Sequence, residues 1–253
     1  MKCVDLIEPE VEECVKLIEN AKIIGALTGA GISTSAGIPD FRGPRGLYIT
    51  KKYDADKVFD INHFHKDAKP FFNFARDFVG LEGQIKPTFT HRFLAHLEKI
   101  GKLKGVITQN IDSLHQMAGS KNVLEIHGSF WKSFCLKCQK EFSFSETKEK
   151  IIKENTPRCS CGGIVKPDVV FFGENVKYLT ESEELARQSD LFFVLGTSCA
   201  VFPAAMIPEY VSGDIVVVNM TKVDLDTPSL ILSVQEDTDD FFEKVAKAMG
   251  LKI

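Results

Sequence analysis

The sequence predicts an α/β protein built on a doubly wound parallel sheet, with a smaller lobe inserted into it. Three observations lead there. Short apolar runs at 22–28, 105–108, 123–126, 191–195 and 215–218 have the near-continuous hydrophobicity of strands buried on both faces. Helical patterns lie between several of them, and strands alternating with helices build a parallel sheet. Between about 130 and 166 this rhythm stops, and clustered cysteines with a Lys/Glu-rich stretch take its place.

The elements follow in order. Val11, Cys14, Val15 and Ile18 share one face at helical spacing, so a helix precedes the first strand. The run at 22–28 then leads directly into Gly29-Ala30-Gly31-Ile32-Ser33. Residues 71–78, dense in phenylalanine, read as a helix. Residues 87–100 read as a clearer one, with Phe89, Phe93, Leu94 and Leu97 as its stripe and Gly101 in the C-terminal capping position. Thr180-Glu181-Ser182-Glu183 has the pattern of a capping box and predicts a helix start. The last helix covers 237–249 and stops at Gly250. The sequence holds no internal repeat and no low-complexity tail.

Composition narrows the function. A chain of 253 residues suits one large domain or a domain with a small lobe, and 44% hydrophobic with 26% charged residues is an ordinary globular balance. Its 31 basic and 35 acidic residues give a charge of -4, which argues against a broad nucleic-acid surface. The first six residues carry an acid and lack the apolar run of a secretory leader. No apolar run approaches the roughly 18 residues of a membrane helix. The expectation is a cytoplasmic monomer with no membrane partner and no direct nucleic-acid partner.

A strand entering Gly29-x-Gly31 opens a dinucleotide-binding fingerprint. The glycines allow a tight turn and close approach of backbone N–H groups to phosphate, and the next helix N-terminus adds partial positive charge. The third glycine is absent, since position 34 is Thr34, and a plain glycine turn would look the same. The continuation through 44 is rich in Gly, Pro and small polar residues but carries Phe41 and Arg42. Such a loop suits closure over a ligand, with Arg42 pairing a phosphate or carboxylate and Phe41 covering a ring.

Four of the seven cysteines are clustered: Cys135-x-x-Cys138, twenty residues, then Cys159-x-Cys161. This is close to a zinc-ribbon spacing, one residue short in the second pair, where Gly162-Gly163 supplies backbone freedom. A closed shell of four thiolates leaves no position for water, so the zinc would be structural; the alternative is free buried thiols. Cys3, Cys14 and Cys199 read as plain apolar residues.

Polar groups follow the ends of four runs: Gln109, Asn110 and Asp112; His127; Thr197 and Ser198; and Asn219. Ligands of open parallel sheets lie beyond the C-terminal strand ends, so these groups should meet in one crevice. The alternative makes Asn110, Asp112 and Asn219 helix caps and His127 a buried, satisfied imidazole. Four such sets facing one glycine loop favour a site, with His127 as its natural general base.

In this order the residues resemble the sirtuin family of NAD-dependent protein-lysine deacylases. The matching segments are GAGISTSAGIPDFRGPRGLY (29–48), TQNIDSLHQMAG (108–119), LEIHG (124–128), the four cysteines, KPDVVFFGE (166–174), GTSCAVFPAA (196–205) and VVVN (216–219). The resemblance implies a Rossmann-like domain of 1–46, 87–129 and 167–253, a helical insertion at 47–86 and a zinc-binding module at 130–166. It implies NAD as co-substrate, one structural Zn2+ and acetyl-lysine proteins as substrates. Ala30, Thr34, Phe41 and Arg42 match the NAD loop. Gln109, Asn110, Ile111 and Asp112 match the pocket for nicotinamide and its ribose, and His127 matches the catalytic base. Thr197, Ser198 and Asn219 match contacts to the adenosine half, with Thr238 near the adenine. Val170, Phe172 and Val201 match the walls of the acyl-lysine tunnel, and the stretch 169–173 would pair with substrate backbone as an added strand.

The family chemistry, with His127, Asn110 and Asp112 as its catalytic set, yields nicotinamide, O-acetyl-ADP-ribose and free lysine. Relatives that prefer succinyl or malonyl groups carry a Tyr and an Arg three residues apart in the helical insertion. Phe72 and Ala75 align there, so the expected substrates carry uncharged acyl groups. An NAD dehydrogenase is the rival from another class, but it expects an acid about 20 residues after the glycine loop at a strand end. Asp40 lies instead in a Pro/Gly loop. ADP-ribosyl transfer within the family stays open at this point.

Overall fold

The computed structural model describes residues 7–40 and 53–253. Its strands are β1 (Ile24–Thr28), β2 (Leu103–Thr108), β3 (Val123–Glu125), β4 (Gly128–Cys135), β5 (Glu141–Ser143), β6 (Val165–Val169), β7 (Leu191–Leu195), β8 (Asp214–Val218) and β9 (Leu230–Val234). The α-helices are α1 (Pro9–Asn20), α2 (Ala55–Val58), α3 (Ile61–Lys66), α4 (Lys69–Gly80), α5 (Phe89–Lys99), α6 (Leu114–Ala118), α7 (Phe144–Lys153), α8 (Leu179–Gln188) and α9 (Thr238–Ala248). Two 3-10 helices, Ala30–Ala36 and Ala204–Tyr210, complete the described elements.

Six strands form one parallel sheet in the order β3-β2-β1-β7-β8-β9. Both central strands, β1 and β7, are buried at every position, which explains why their sequences are apolar without alternation. Successive side chains still go to opposite faces. Leu191, Phe193 and Leu195 of β7 join a core with α1, α5 and α9, where Phe193 and Phe93 both pack on Phe242. Phe192 and Val194 enter the opposite core, against Leu185 and Ala186 of α8 and Ile207. The chain crosses from one half of the sheet to the other between β1 and β7, the switch point where such sheets open a crevice.

The segment that broke the alternation is a three-stranded antiparallel sheet, β5-β4-β6, with α7 between β5 and β6 in the chain and its Ile151 in the core. Ser143 and Glu146 close a reciprocal capping box that starts α7. This sheet shares a core with α2, α3 and α4. Phe59, Phe64, Phe71, Phe72 and Phe74 meet Phe130, Val169 and Phe171 there, with ring centroids 4.9 Å apart for Phe71 and Phe171. The aromatic density of 71–78 therefore serves a junction between two elements of the chain.

Two expectations are corrected. No capping box forms at 180: α8 already begins at Leu179, its N-cap is Tyr178 in the left-handed region (φ 52°), and Ser182 Oγ bonds the Tyr178 carbonyl at 2.6 Å. The element after Gly29 is a seven-residue 3-10 helix ended by Gly37 at φ 89°, not an α-helix. Strand β9 adds an edge that sequence reading missed, because none of its positions is fully buried. Among the described residues no helix is long and apolar enough to cross a membrane.

Candidate functional site

The C-terminal ends of β1, β2 and β7 and the chain after β3 build one connected polar surface. Gly29 and Gly31 leave β1 pressed against the end of β7. A Cβ at Gly31 would lie 2.7 Å from Gly196 Cα, and one at Gly29 would lie 2.7 Å from Thr197 Cβ. The glycines are therefore required by the crossing of two backbones, in addition to any need for access by phosphate. Gly31 N–H donates to the Gly196 carbonyl at 2.8 Å, and Thr34 Oγ1 donates to the Gly31 carbonyl at 2.9 Å. Ala30 opens the 3-10 helix, half-buried.

Asn110 follows β2 and is buried. Its amide donates to the Gly29 carbonyl at 3.1 Å and to Ser33 Oγ at 3.2 Å. Ser33 in turn donates to Asp112 Oδ2 at 2.7 Å, while Asp112 Oδ1 accepts the Leu114 N–H at 2.9 Å. Burial raises the Asp112 carboxyl above its ordinary range, against those two bonds. Gln109 runs the other way: its N–H bonds the Thr28 carbonyl at 2.9 Å and its side-chain amide donates to Thr197 Oγ1 at 2.9 Å. Ile111, between these groups, packs towards the phenylalanine core.

His127 stands where β3 has ended and β4 begins. Its Nδ1 lies 3.0 Å from the Gln109 carbonyl. A carbonyl can only accept, so that nitrogen carries the proton and Nε2 holds the free lone pair. Burial lowers the ring's pKa, opposed by the bond to Gln109, so the neutral form needed for a base is favoured. His115 differs. It is 1% exposed, its Nε2 lies 2.9 Å from Thr28 Oγ1, and burial drives its pKa well down. That ring is core, its centroid 4.6 Å from that of His91 with the planes tilted at 59°, and burial lowers the His91 pKa to about 3.

The Val170 N–H donates to the His127 carbonyl at 2.8 Å, so the segment after β6 is tied to the histidine. The next residues are partly committed already. Phe172 donates to the Phe59 carbonyl at 2.7 Å and accepts from Ile61 at 3.1 Å, and the Phe171 N–H is taken by Glu174. Within 169–173 these bonds occupy both backbone groups of Phe171 and Phe172 and the N–H of Val170. Val170 and Val201 are half-buried, and Phe172 is exposed.

Some predicted residues stand apart from this network. Ser198 is exposed just after β7, and the Asn219 amide is turned onto Thr221, 2.8 Å from its carbonyl. Thr238 is buried at the start of α9. Phe41 and Arg42 lie outside the described residues. Ser33, which sequence reading passed over, links Asn110 to Asp112; its place in the glycine loop was the available signal.

The four clustered thiols converge as well, with all sulfurs within 4.8 Å of one another. Cys135 and Cys161 Sγ are 3.4 Å apart, and Cys138 and Cys159 Sγ are 3.7 Å apart. Zinc–sulfur bonds of about 2.3 Å in a tetrahedron put sulfurs ~3.8 Å apart, whereas a disulfide needs about 2.0 Å. The set fits a zinc ion and not two disulfides. The Cys161 N–H lowers the Cys159 thiol to about 6. The Lys140 N–H favours the Cys138 thiolate, but the sulfurs of Cys161 and Cys135 push that thiol up to about 12. Thiols this close need a cation between them to ionise together. Gly162 takes φ 82°, and a Cβ at Gly163 would meet Cys135 Sγ at 2.6 Å, so both glycines shape the short second pair. Cys14 and Cys199 are pushed up by burial to about 12 and 11, as inert thiols.

Fold and site together define a nucleotide-binding α/β protein with a structural Cys₄ metal centre. The Sir2 family model matches residues 29–203. An NAD-dependent protein deacetylase of Sulfurisphaera tokodaii is 44% identical over 85% of this chain and 86% of its own length. One from Thermotoga maritima is 38% identical over 96% and 99%. A solved Sir2 structure with deacetylated p53 peptide and 3'-O-acetyl ADP ribose superposes with a TM-score of 0.89, at 38% identity over 96% and 99% of the two chains. The chain belongs to the Sir2 family.

Proposed function

We propose that this protein removes acetyl and other uncharged acyl groups from lysine side chains of proteins, consuming NAD, with His127 as the general base. The carrying observation is the tautomer of His127: the Gln109 carbonyl holds Nδ1–H and leaves Nε2 as the acceptor. NAD supplies an activated ribose that takes the acyl group as the bond to nicotinamide breaks, and one water is consumed in releasing the amine, so the products are nicotinamide, O-acetyl-ADP-ribose and free lysine.

The chain's own residues have distinct parts in this reading. Ala30 and Thr34 line the NAD loop over the switch point between β1 and β7, and Phe41 and Arg42, which lie outside the described residues, are assigned to the same loop from the sequence. Asn110 and Asp112, locked to Gly29 and Ser33, hold the nicotinamide half in register with His127, together with Gln109 and Ile111. Thr197, Ser198, Asn219 and Thr238 serve the adenosine half. Val170, Phe172 and Val201 wall the acyl-lysine channel, and Gly173 pairs with substrate backbone. His127 Nε2 takes a ribose hydroxyl proton. The zinc held by Cys135, Cys138, Cys159 and Cys161 is remote from this chemistry and stabilises the small sheet. Phe72 and Ala75 are fully buried among apolar side chains, which offers no cation for an acyl carboxylate.

We propose that the protein acts as a monomer. A cytoplasmic location suits four reduced, metal-binding thiols. The test is mass spectrometry of an acetyl-lysine peptide and its succinyl counterpart, with and without NAD. Loss of the acetyl mass only with NAD, alongside nicotinamide, is the expected result. Removal that ignores NAD, or succinyl removal as fast as acetyl, contradicts the reading.

A further inference from the structure

One buried charge lies outside the site described so far. Lys166, in β6, has a side chain only 7% exposed. Its Nζ donates to the Val169 carbonyl at 2.6 Å and to Glu174 Oε2 at 2.9 Å, and it lies 4.1 Å from the centroid of the Phe171 ring. The same Glu174 oxygen accepts the Phe171 N–H at 2.8 Å. One ammonium thus fixes the end of β6, the carboxylate that closes the 170–174 turn, and the aromatic face between them.

What this clamp holds gives it a role. The 170–174 segment bonds His127 through the Val170 N–H and bonds Phe59 and Ile61 through Phe172. Gly128, next to His127, approaches β6 so closely that a Cβ there would lie 1.8 Å from the Asp168 carbonyl oxygen, at φ 71°. No slack is left between the histidine and the end of β6. A buried ammonium needs its acceptors, and charge-assisted bonds hold geometry more firmly than neutral ones. An apolar side chain of the same length would fill the space without fixing the turn.

We infer that Lys166 is a positioning residue for the acyl-lysine substrate: its buried ammonium sets the 169–174 turn, and with it the channel walls Val170 and Phe172 and the Gly173 edge. The inference rests on the deacylase reading. It assigns Lys166 no contact with NAD, so the two substrates separate its effect from general damage.

The experiment compares the whole zinc-loaded protein with Lys166→Met, Lys166→Arg and Glu174→Gln, measuring KM for an acetyl-lysine peptide and for NAD, zinc content and melting temperature. Lys166→Met should raise peptide KM about tenfold or more, the loss of a charge-assisted bond. Its NAD KM should stay within about twofold, with zinc at one per chain. Lys166→Arg should recover much of the peptide KM. A folded, zinc-loaded Lys166→Met protein with unchanged peptide KM, or with both KM values rising together, overturns the inference. If Lys166→Met does not fold, Glu174→Gln decides, since it keeps the shape and removes the partner charge. A raised peptide KM alone supports the clamp, and an unchanged one overturns it. Wild-type protein that releases no nicotinamide with acetyl peptide refutes the deacylase reading itself, whereas active wild type with an unmoved Lys166→Met KM refutes only the clamp.

Discussion

Asp112 should trade stability for function, and two substitutions separate the contributions. Its carboxylate accepts from Ser33 at 2.7 Å and from Leu114 at 2.9 Å inside a buried site. Asp112→Ala leaves both donors unmet at about 1–3 kcal/mol each, in part offset by removing a desolvated charge, for a net loss of about 2–4 kcal/mol. In a chain of this size that is roughly 5–15 °C of melting temperature. Asp112→Asn keeps an acceptor for Leu114, loses the Ser33 bond and relieves the desolvation, so its stability should lie within about 1 kcal/mol of wild type at neutral pH.

The sign with pH follows from the raised carboxyl. A carboxyl whose folded pKa exceeds its unfolded value helps the fold below the ordinary range near 3.8 and loses that help as pH rises through the folded pKa. The Asn variant should therefore gain on wild type as pH rises through that window. Its kcat/KM for NAD should still fall about 10–100-fold, the worth of a charge-assisted bond. Melting curves at acid and neutral pH with NAD kinetics check both. An Asn variant that melts as low as Ala at neutral pH would refute the reasoning, because the charge would then stabilise the site.

Two further outcomes are expected. The acid limb of kcat/KM should have its midpoint below the ordinary histidine value of 6.5, because burial lowers His127 and the neutral ring is the active form; a midpoint above 7 in a pH–rate profile contradicts this. Metal analysis of the purified protein should give one zinc per chain, and Cys159→Ser should lose the metal and melt well below wild type. A folded, active sample with far less than one zinc would defeat the Cys₄ assignment.

The sheet was legible because its central strands are buried on both faces, so Leu191 to Leu195 carry no polar residue to blur the pattern. The metal centre was legible because four thiols at short spacings have few other uses in a reducing compartment. What escaped sequence reading has physical reasons. Strand β9 alternates half-buried and exposed positions on the sheet edge and looks like loop. The start of α8 depends on a left-handed Tyr178, a conformation no residue pattern announces. Ser33 and Lys166 act through partners 79 residues away and eight residues away, and only the fold aligns them. His115 shows the converse. It sits in a matching segment, yet burial makes it core.

Turnover of His127→Ala under saturating peptide and NAD, read beside its melting curve, bears most directly on the base. With Nε2 gone, deacetylation should drop by about 10²–10⁴-fold. The fold should survive, since among the described residues the ring makes a single hydrogen bond, to Gln109. Turnover within tenfold of wild type, in protein that melts normally, would place the proton acceptor elsewhere.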